Sequence, residues 1–187
     1  MNFKIRLIIG IFLLGVFSCT GGKNDSGQLE KLPYFDLKGY MEQAIVGLDS
    51  AYVSKISRIN GQETRVDTVL TQEQWRDELD VFFEADINKA SLVSSYDTQV
   101  KNEYLIHELF PDAKAYVKNI TVSIINDKVH LITIKMAKEN TFYTSYTNAE
   151  LYISNVTQKI DHYSIETTQK IWFLKPNNIK IMGALRF

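Results

Sequence analysis

Ile120 to Met136 reads ITVSIINDKVHLITIKM, and this stretch decides the fold. Ile120, Val122 and Ile124 share one face of an extended segment and Asn119, Thr121 and Ser123 the other, because successive side chains of a strand point to opposite sides. Asn126 and Asp127 supply a tight turn, being residue types that tolerate the backbone a short hairpin loop demands. Ile132, Ile134 and Met136 then resume the apolar face. A period of two on both arms makes an antiparallel hairpin with one face turned to a core.

The same period runs outward in both directions. Upstream, Val100, Tyr104 and Ile106 read as one face of a first strand. Downstream, Tyr163 and Ile165 share another face, and Ile179, Ile181, Leu185 and Phe187 form a last strand with Lys180 and Arg186 outward. Pro176, Asn177 and Asn178 interrupt the pattern just before it, as a turn does. From Val100 onward the chain is therefore a run of antiparallel strands.

Before Val100 the period is helical. Leu37, Tyr40, Met41, Ala44, Ile45 and Leu48 recur at three-and-four spacing and make one apolar stripe. Asp36 can cap that helix, with Phe35 and Tyr40 placed as a hydrophobic staple. Tyr52 to Ile59 can extend the helix or form the first arm of a hairpin. The hairpin is the better reading, because Asn60-Gly61 suits a type I′ turn and Arg65 to Val69 alternate as a second arm. Thr71 opens a second helix with Gln74 three residues on, and Trp75, Leu79, Phe82 and Phe83 give it an apolar face. Helices first and strands afterwards predict an α+β domain over 34–187, with two helices on one face of a curved antiparallel sheet; a closed barrel is the alternative.

Composition narrows the chemistry. With 187 residues, 45% of them hydrophobic and 23% charged, the chain is long enough for one core that needs no cross-link. Its single cysteine lies at position 19, which leaves the folded part no thiol for a disulfide, a thiolate ligand or a nucleophile. A formal net charge of -1 with interleaved signs gives no basic stripe, so no nucleic-acid partner is expected.

Lys4 and Arg6 precede an apolar run from Leu7 to Phe17, the pattern of an export signal over residues 1–18. The run falls short of the roughly 20 apolar residues that a spanning helix needs. Val16-Phe17-Ser18-Cys19 resembles a bacterial lipobox, although Val16 and Phe17 depart from the commoner Leu-Ala or Leu-Ser. That resemblance implies that Cys19 is lipidated and becomes the mature N-terminus, with more than one acyl chain for durable anchoring. Residues 19–33, rich in Gly, Ser and Asn, read as a flexible tether; the part from Thr20 to Lys31 reaches on the order of 40 Å at about 3.3 Å per residue. Thr20, where an Asp would favour inner-membrane retention, implies by the same resemblance an outer membrane, and the lack of a following acidic cluster implies a periplasmic face. Together with Asp86-Ile87-Asn88-Lys89 after the aromatic helix, the arrangement resembles small lipoproteins of Bacteroidota that carry no assigned activity.

No phosphate loop, nucleophile elbow, zinc-helix motif or calcium loop is present, so no catalytic residue, cofactor or metal is expected. His107 and His162 alternate away from the apolar residues of their strands and read as solvated, while His130 begins the face of Ile132 and Ile134. Glu108 and Asp161, as strand neighbours of His107 and His162, should point to the opposite face and form no dyad. Phe142, Tyr143, Tyr146 and Tyr152 crowd one hairpin and are the candidate ligand-binding residues. The sequence thus predicts a lipid-anchored, non-enzymatic binding or accessory domain of the cell envelope, with another envelope protein or a glycan as partner. A carrier or sensor cupping an apolar ligand such as a lipid, and an enzyme of unrecognised type, are the alternatives.

Overall fold

A computed structural model describes residues 31–48 and 51–187. The expected export signal, Cys19 and most of the expected tether lie outside the described residues. Nine strands form one antiparallel sheet: β1 (Tyr52–Ile59), β2 (Gln62–Val69), β3 (Tyr96–Lys101), β4 (Tyr104–Leu109), β5 (Val117–Ile125), β6 (Lys128–Asn140), β7 (Tyr143–Ile153), β8 (Ile160–Ile171) and β9 (Asn177–Arg186). Their order is β2-β1-β9-β8-β7-β6-β5-β4-β3. The sheet is open, with β2 and β3 as its two edges, so the barrel alternative is not the fold. Two predicted turns form as expected, since Asn60 and Gly61 between β1 and β2, and Asn126 and Asp127 between β5 and β6, all carry positive φ, whereas Asn177 and Asn178, read as a turn, already pair with Gln169 and Thr168 at the start of β9.

Helix α1 (Leu37–Val46) starts where Asp36 accepts the Gly39 N–H at 2.9 Å, and the Phe35 and Tyr40 rings lie 5.9 Å apart as the staple requires. The second predicted helix begins at the Thr71–Gln74 capping box but breaks at Leu79 into α2 (Gln72–Glu78) and α3 (Asp80–Glu84). Trp75 before the break, Leu79 at it and Phe82 after it are all completely buried.

The helices cover one face of the sheet. Their buried residues Leu37, Met41, Ile45, Trp75 and Phe82 join Val53, Ile120, Val122, Ile132, Ile134, Leu151, Tyr163 and Leu185 in a single core. Opposite that face, Thr133, Lys135, Asn148, Glu150, Ser164, Glu166 and Lys180 form a polar outer surface with a shallow depression of about 390 Å³. The α+β class with helices on a curved antiparallel sheet is therefore the observed one.

Two local features tie α2 to the sheet. Glu78 accepts a hydrogen bond from the Tyr163 hydroxyl at 2.7 Å and pairs with Lys55, which joins α2, β8 and β1. Gly183 on β9 sits opposite Tyr163, and a Cβ there would lie 2.2 Å from the ring, so only glycine lets the ring lie flat across β9.

Two sequence readings fail in the strands. Val100 does not share a face with Tyr104 and Ile106, because Asn102 and Glu103 make a turn and Val100 pairs with Leu105 across the β3–β4 hairpin. The parity of β4 is consequently reversed: His107 faces inward and is 1% exposed, not solvated. The neighbours Asp161 and His162 do meet. Tyr152 pairs with His162 and Ile153 with Ile160, so Asp161 is an extra residue in the ladder, and this bulge cancels the alternation that would separate the two side chains.

Candidate functional site

A cleft of about 920 Å³ opens beside the helix layer, where α3, the β4–β5 connection and the end of β6 converge. Its floor and walls are short residues, Ala113, Ala115 and Ala137, and charged side chains stand around them. The Tyr116 carbonyl accepts the Ala137 N–H at 2.9 Å and the Ala115 carbonyl accepts from Lys118 Nζ at 2.8 Å, so the connection is pinned to β6 and β5. Tyr116 presents its ring to the opening, with Lys138 Nζ 5.9 Å from the ring centroid.

Charge in the cleft is unbalanced. Lys89, Lys114, Lys118 and Lys138 line it against Glu84 and Glu139. Among the described residues none of those four lysines forms an ion pair. Burial raises the Tyr116 pKa, with Glu84 and Tyr143 adding to it, so the phenol stays protonated and can donate a hydrogen bond. Four ammonium groups around small residues and one aromatic ring can hold a flexible anion that also offers an apolar face.

The aromatic residues singled out from the sequence do not form one pocket. Tyr143 stands on the core side of β7, half-buried, and its phenol is the one that acts on Tyr116. Phe142 caps the β6–β7 turn, exposed, with its ring 6.2 Å from that of Trp172. Tyr146 projects from the outer face and donates to Glu139, which raises its pKa. Tyr152 lies at the far end of β7, stacked on His162 at 4.1 Å and 15°. Cys19, the expected lipidation site, lies outside the described residues.

The histidines divide into three environments. His107 Nε2 accepts the Phe35 N–H at 3.2 Å and its Nδ1 lies 2.9 Å from Thr98 Oγ1. An acceptor at Nε2 places the single proton on Nδ1, so the ring is neutral and satisfied, and burial lowers its pKa. His130 lies between Asn155 and the Ile125 carbonyl at one end of the sheet. His162 Nδ1 is 2.7 Å from Asp161 Oδ2, while the Tyr152 hydroxyl donates to Glu150 at 3.0 Å. An imidazole oriented by a carboxylate can relay a proton, but both side chains are about half exposed, and among the described residues the pair has no hydroxyl nucleophile within hydrogen-bond distance. No group of three or more metal-ligating side chains occurs among the described residues.

The lysine cleft escaped sequence reading because its residues come from three separate stretches, none of which is a basic run. No known protein family, curated protein or solved structure matches this chain.

Proposed function

We propose that this chain is a lipid-anchored, non-enzymatic binding protein of the bacterial cell envelope, whose lysine cleft holds an acidic glycan. Anchoring rests on Cys19 and the apolar run before it, and the periplasmic face of an outer membrane is the position the residues after Cys19 favour. The observation that carries the binding reading is the set of four lysines without ion pairs around the exposed Tyr116 ring. Uronic-acid polymers match it: their carboxylates meet ammonium groups, and the apolar face of a pyranose ring packs on an aromatic side chain. A carrier of an apolar ligand would instead require α1, α2 and α3 to lift from the sheet face they now fill.

Titration of the full chain with oligogalacturonate, and with a neutral oligosaccharide of equal length, tests the cleft. Binding of the acidic oligomer alone is expected, weakening with salt and falling about tenfold or more in a Lys114→Glu/Lys118→Glu variant, since each weakened charge pair is worth roughly 0.5–1 kcal/mol and charge reversal exceeds simple loss. Equal affinity for both oligosaccharides would sink the reading. Metabolic labelling with a palmitate analogue tests the anchor, and label should vanish with Cys19→Ala.

A second reading, an enzyme, draws on Asp161 holding His162 at 2.7 Å. Its mark would be a turnover that disappears in Asp161→Asn with the fold intact.

A further inference from the structure

One end of the sheet carries a protruding apolar tip that the cleft does not use. The β6–β7 and β8–β9 turns lie side by side there, joined by a hydrogen bond from the Trp172 N–H to the Phe142 carbonyl at 2.9 Å. The β1–β2 turn belongs to the same end, where Asn60 and Asn178 exchange hydrogen bonds of 2.9 Å. Three turns braced in this way form a fixed tip, not a loose loop.

The side chains at this tip are large, apolar and in water. Trp172 is 73% exposed, Phe173 79%, Phe142 62% and Leu174 52%. Phe142 and Trp172 contact each other and Trp172, Phe173 and Leu174 are consecutive, so the patch is continuous. Isolated exposed apolar residues are ordinary, whereas a contiguous patch of this kind marks a surface that is covered in use.

We propose that this tip docks into the interface of a lipid bilayer. Its chemistry is that of interfacial anchors: an indole that is apolar in body and polar at its N–H, beside Phe and Leu that can enter the acyl boundary. Cations flank the apolar residues of the β8–β9 turn, with Lys170 and Lys175 on either side of Ile171 to Leu174, against Glu139 at the base of the β6–β7 turn. Glu139 is itself engaged by the Tyr146 hydroxyl. Long lysine side chains can place their ammonium groups among anionic headgroups while the aromatic residues lie deeper. A convex tip suits a deformable bilayer, whereas the aromatic anchors of stable protein interfaces seat in matching pockets. This inference stands on the tip alone and does not require Cys19 to be lipidated.

Trp172 reports on the docking directly, because the chain's other tryptophan, Trp75, is completely buried in the core. Full-length protein is added to vesicles of phosphatidylethanolamine and phosphatidylglycerol, with and without brominated acyl chains, and tryptophan emission is followed. Emission should shift to the blue on binding and be quenched at least twofold in its Trp172 component by brominated lipid. Trp172→Phe should leave only the unquenched Trp75 signal, and Phe173→Ser/Leu174→Ser should abolish the quenching while the Trp75 emission shows the fold intact. Protein that floats with the vesicles while Trp172 stays accessible to aqueous iodide would overturn the proposal. So would a Trp172 shielded without lipid in proportion to protein concentration, which would assign the tip to a second copy. Flotation of Cys19→Ala reads the covalent anchor separately, so failure of one does not count as failure of the other.

Discussion

Acidification should loosen this fold through one side chain, His107. The imidazole is buried, accepts the Phe35 N–H that leads into α1, and meets Thr98 on β3, so the folded state holds it neutral with a lowered pKa. Above about pH 6.5 neither the folded nor the unfolded chain carries a proton there, and stability is at its full value. As pH falls, the unfolded chain takes up a proton that the folded one refuses, so stability declines by up to about 1.4 kcal/mol per pH unit. From pH 7 to pH 5 the ceiling, reached if the folded ring stays neutral throughout, is about 2 kcal/mol, or about 4–8 °C in Tm for a domain of this size. Glu166, which Asn178 and Lys180 hold below the usual carboxylate value, acts at lower pH. Urea unfolding at pH 7, 6 and 5, followed by circular dichroism, measures the decline. His107→Phe keeps the volume but strands the Phe35 N–H, which costs about 1–3 kcal/mol at every pH. The variant should therefore be weaker at pH 7 and nearly flat down to pH 5. Parallel curves for the two proteins would refute the reasoning.

The alkaline limit should be set by tyrosines. Burial pushes Tyr40 and Tyr96 up to about 12, and burial together with the Glu78 charge pushes Tyr163 higher still. Their stabilisation is complete below the unfolded value of about 10 and lost as pH rises above it, at up to about 1.4 kcal/mol per pH unit for each ring, so unfolding should begin between pH 10 and 12 and be visible as phenolate absorbance coincident with loss of structure. Gly183→Ala should cost about 1–3 kcal/mol or more, because the added carbon meets a Tyr163 ring that its hydrogen bond to Glu78 prevents from swinging aside; thermal unfolding of the variant measures it, and an unchanged Tm would contradict the packing described.

Much of the architecture was legible because short-range signals were strong. Asp36 with Gly39 in reach, Asn60-Gly61, the Thr71–Gln74 box and the alternation of Ile120 to Met136 each demand one local conformation. Misreadings arose where one residue more or less changes the parity of a strand. A turn at Asn102 and Glu103, lacking glycine or proline, was indistinguishable from strand and reversed His107; a bulge at Asp161 left His162 exposed as read but brought the Asp161 carboxylate to its side. The lysine cleft and the aromatic tip are legible only after folding, since Lys89, Lys114 and Lys138 share no element, and Phe142 and Trp172 belong to different hairpins. One signal at the tip was available beforehand: Ile171 to Leu174, apolar and bracketed by lysines, stands immediately before the Pro176 turn where a polar loop is the norm.

The position of β9 governs how this molecule comes into being. The strand lies inside the sheet, third from the β2 edge between β1 and β8, and Tyr52 pairs with Arg186 across nearly the whole folded chain. A polypeptide delivered N-terminus first therefore presents α1, the β1–β2 hairpin and α2 before Tyr163 arrives to meet Trp75, and leaves β1 without its β9 neighbour until residues 177–186 follow. Closure of so long a loop is entropically costly and slow compared with local pairing. The β3–β8 meander can assemble progressively by nearest-neighbour hairpins, whereas the first third of the chain must wait, its apolar surface open to whatever escorts it.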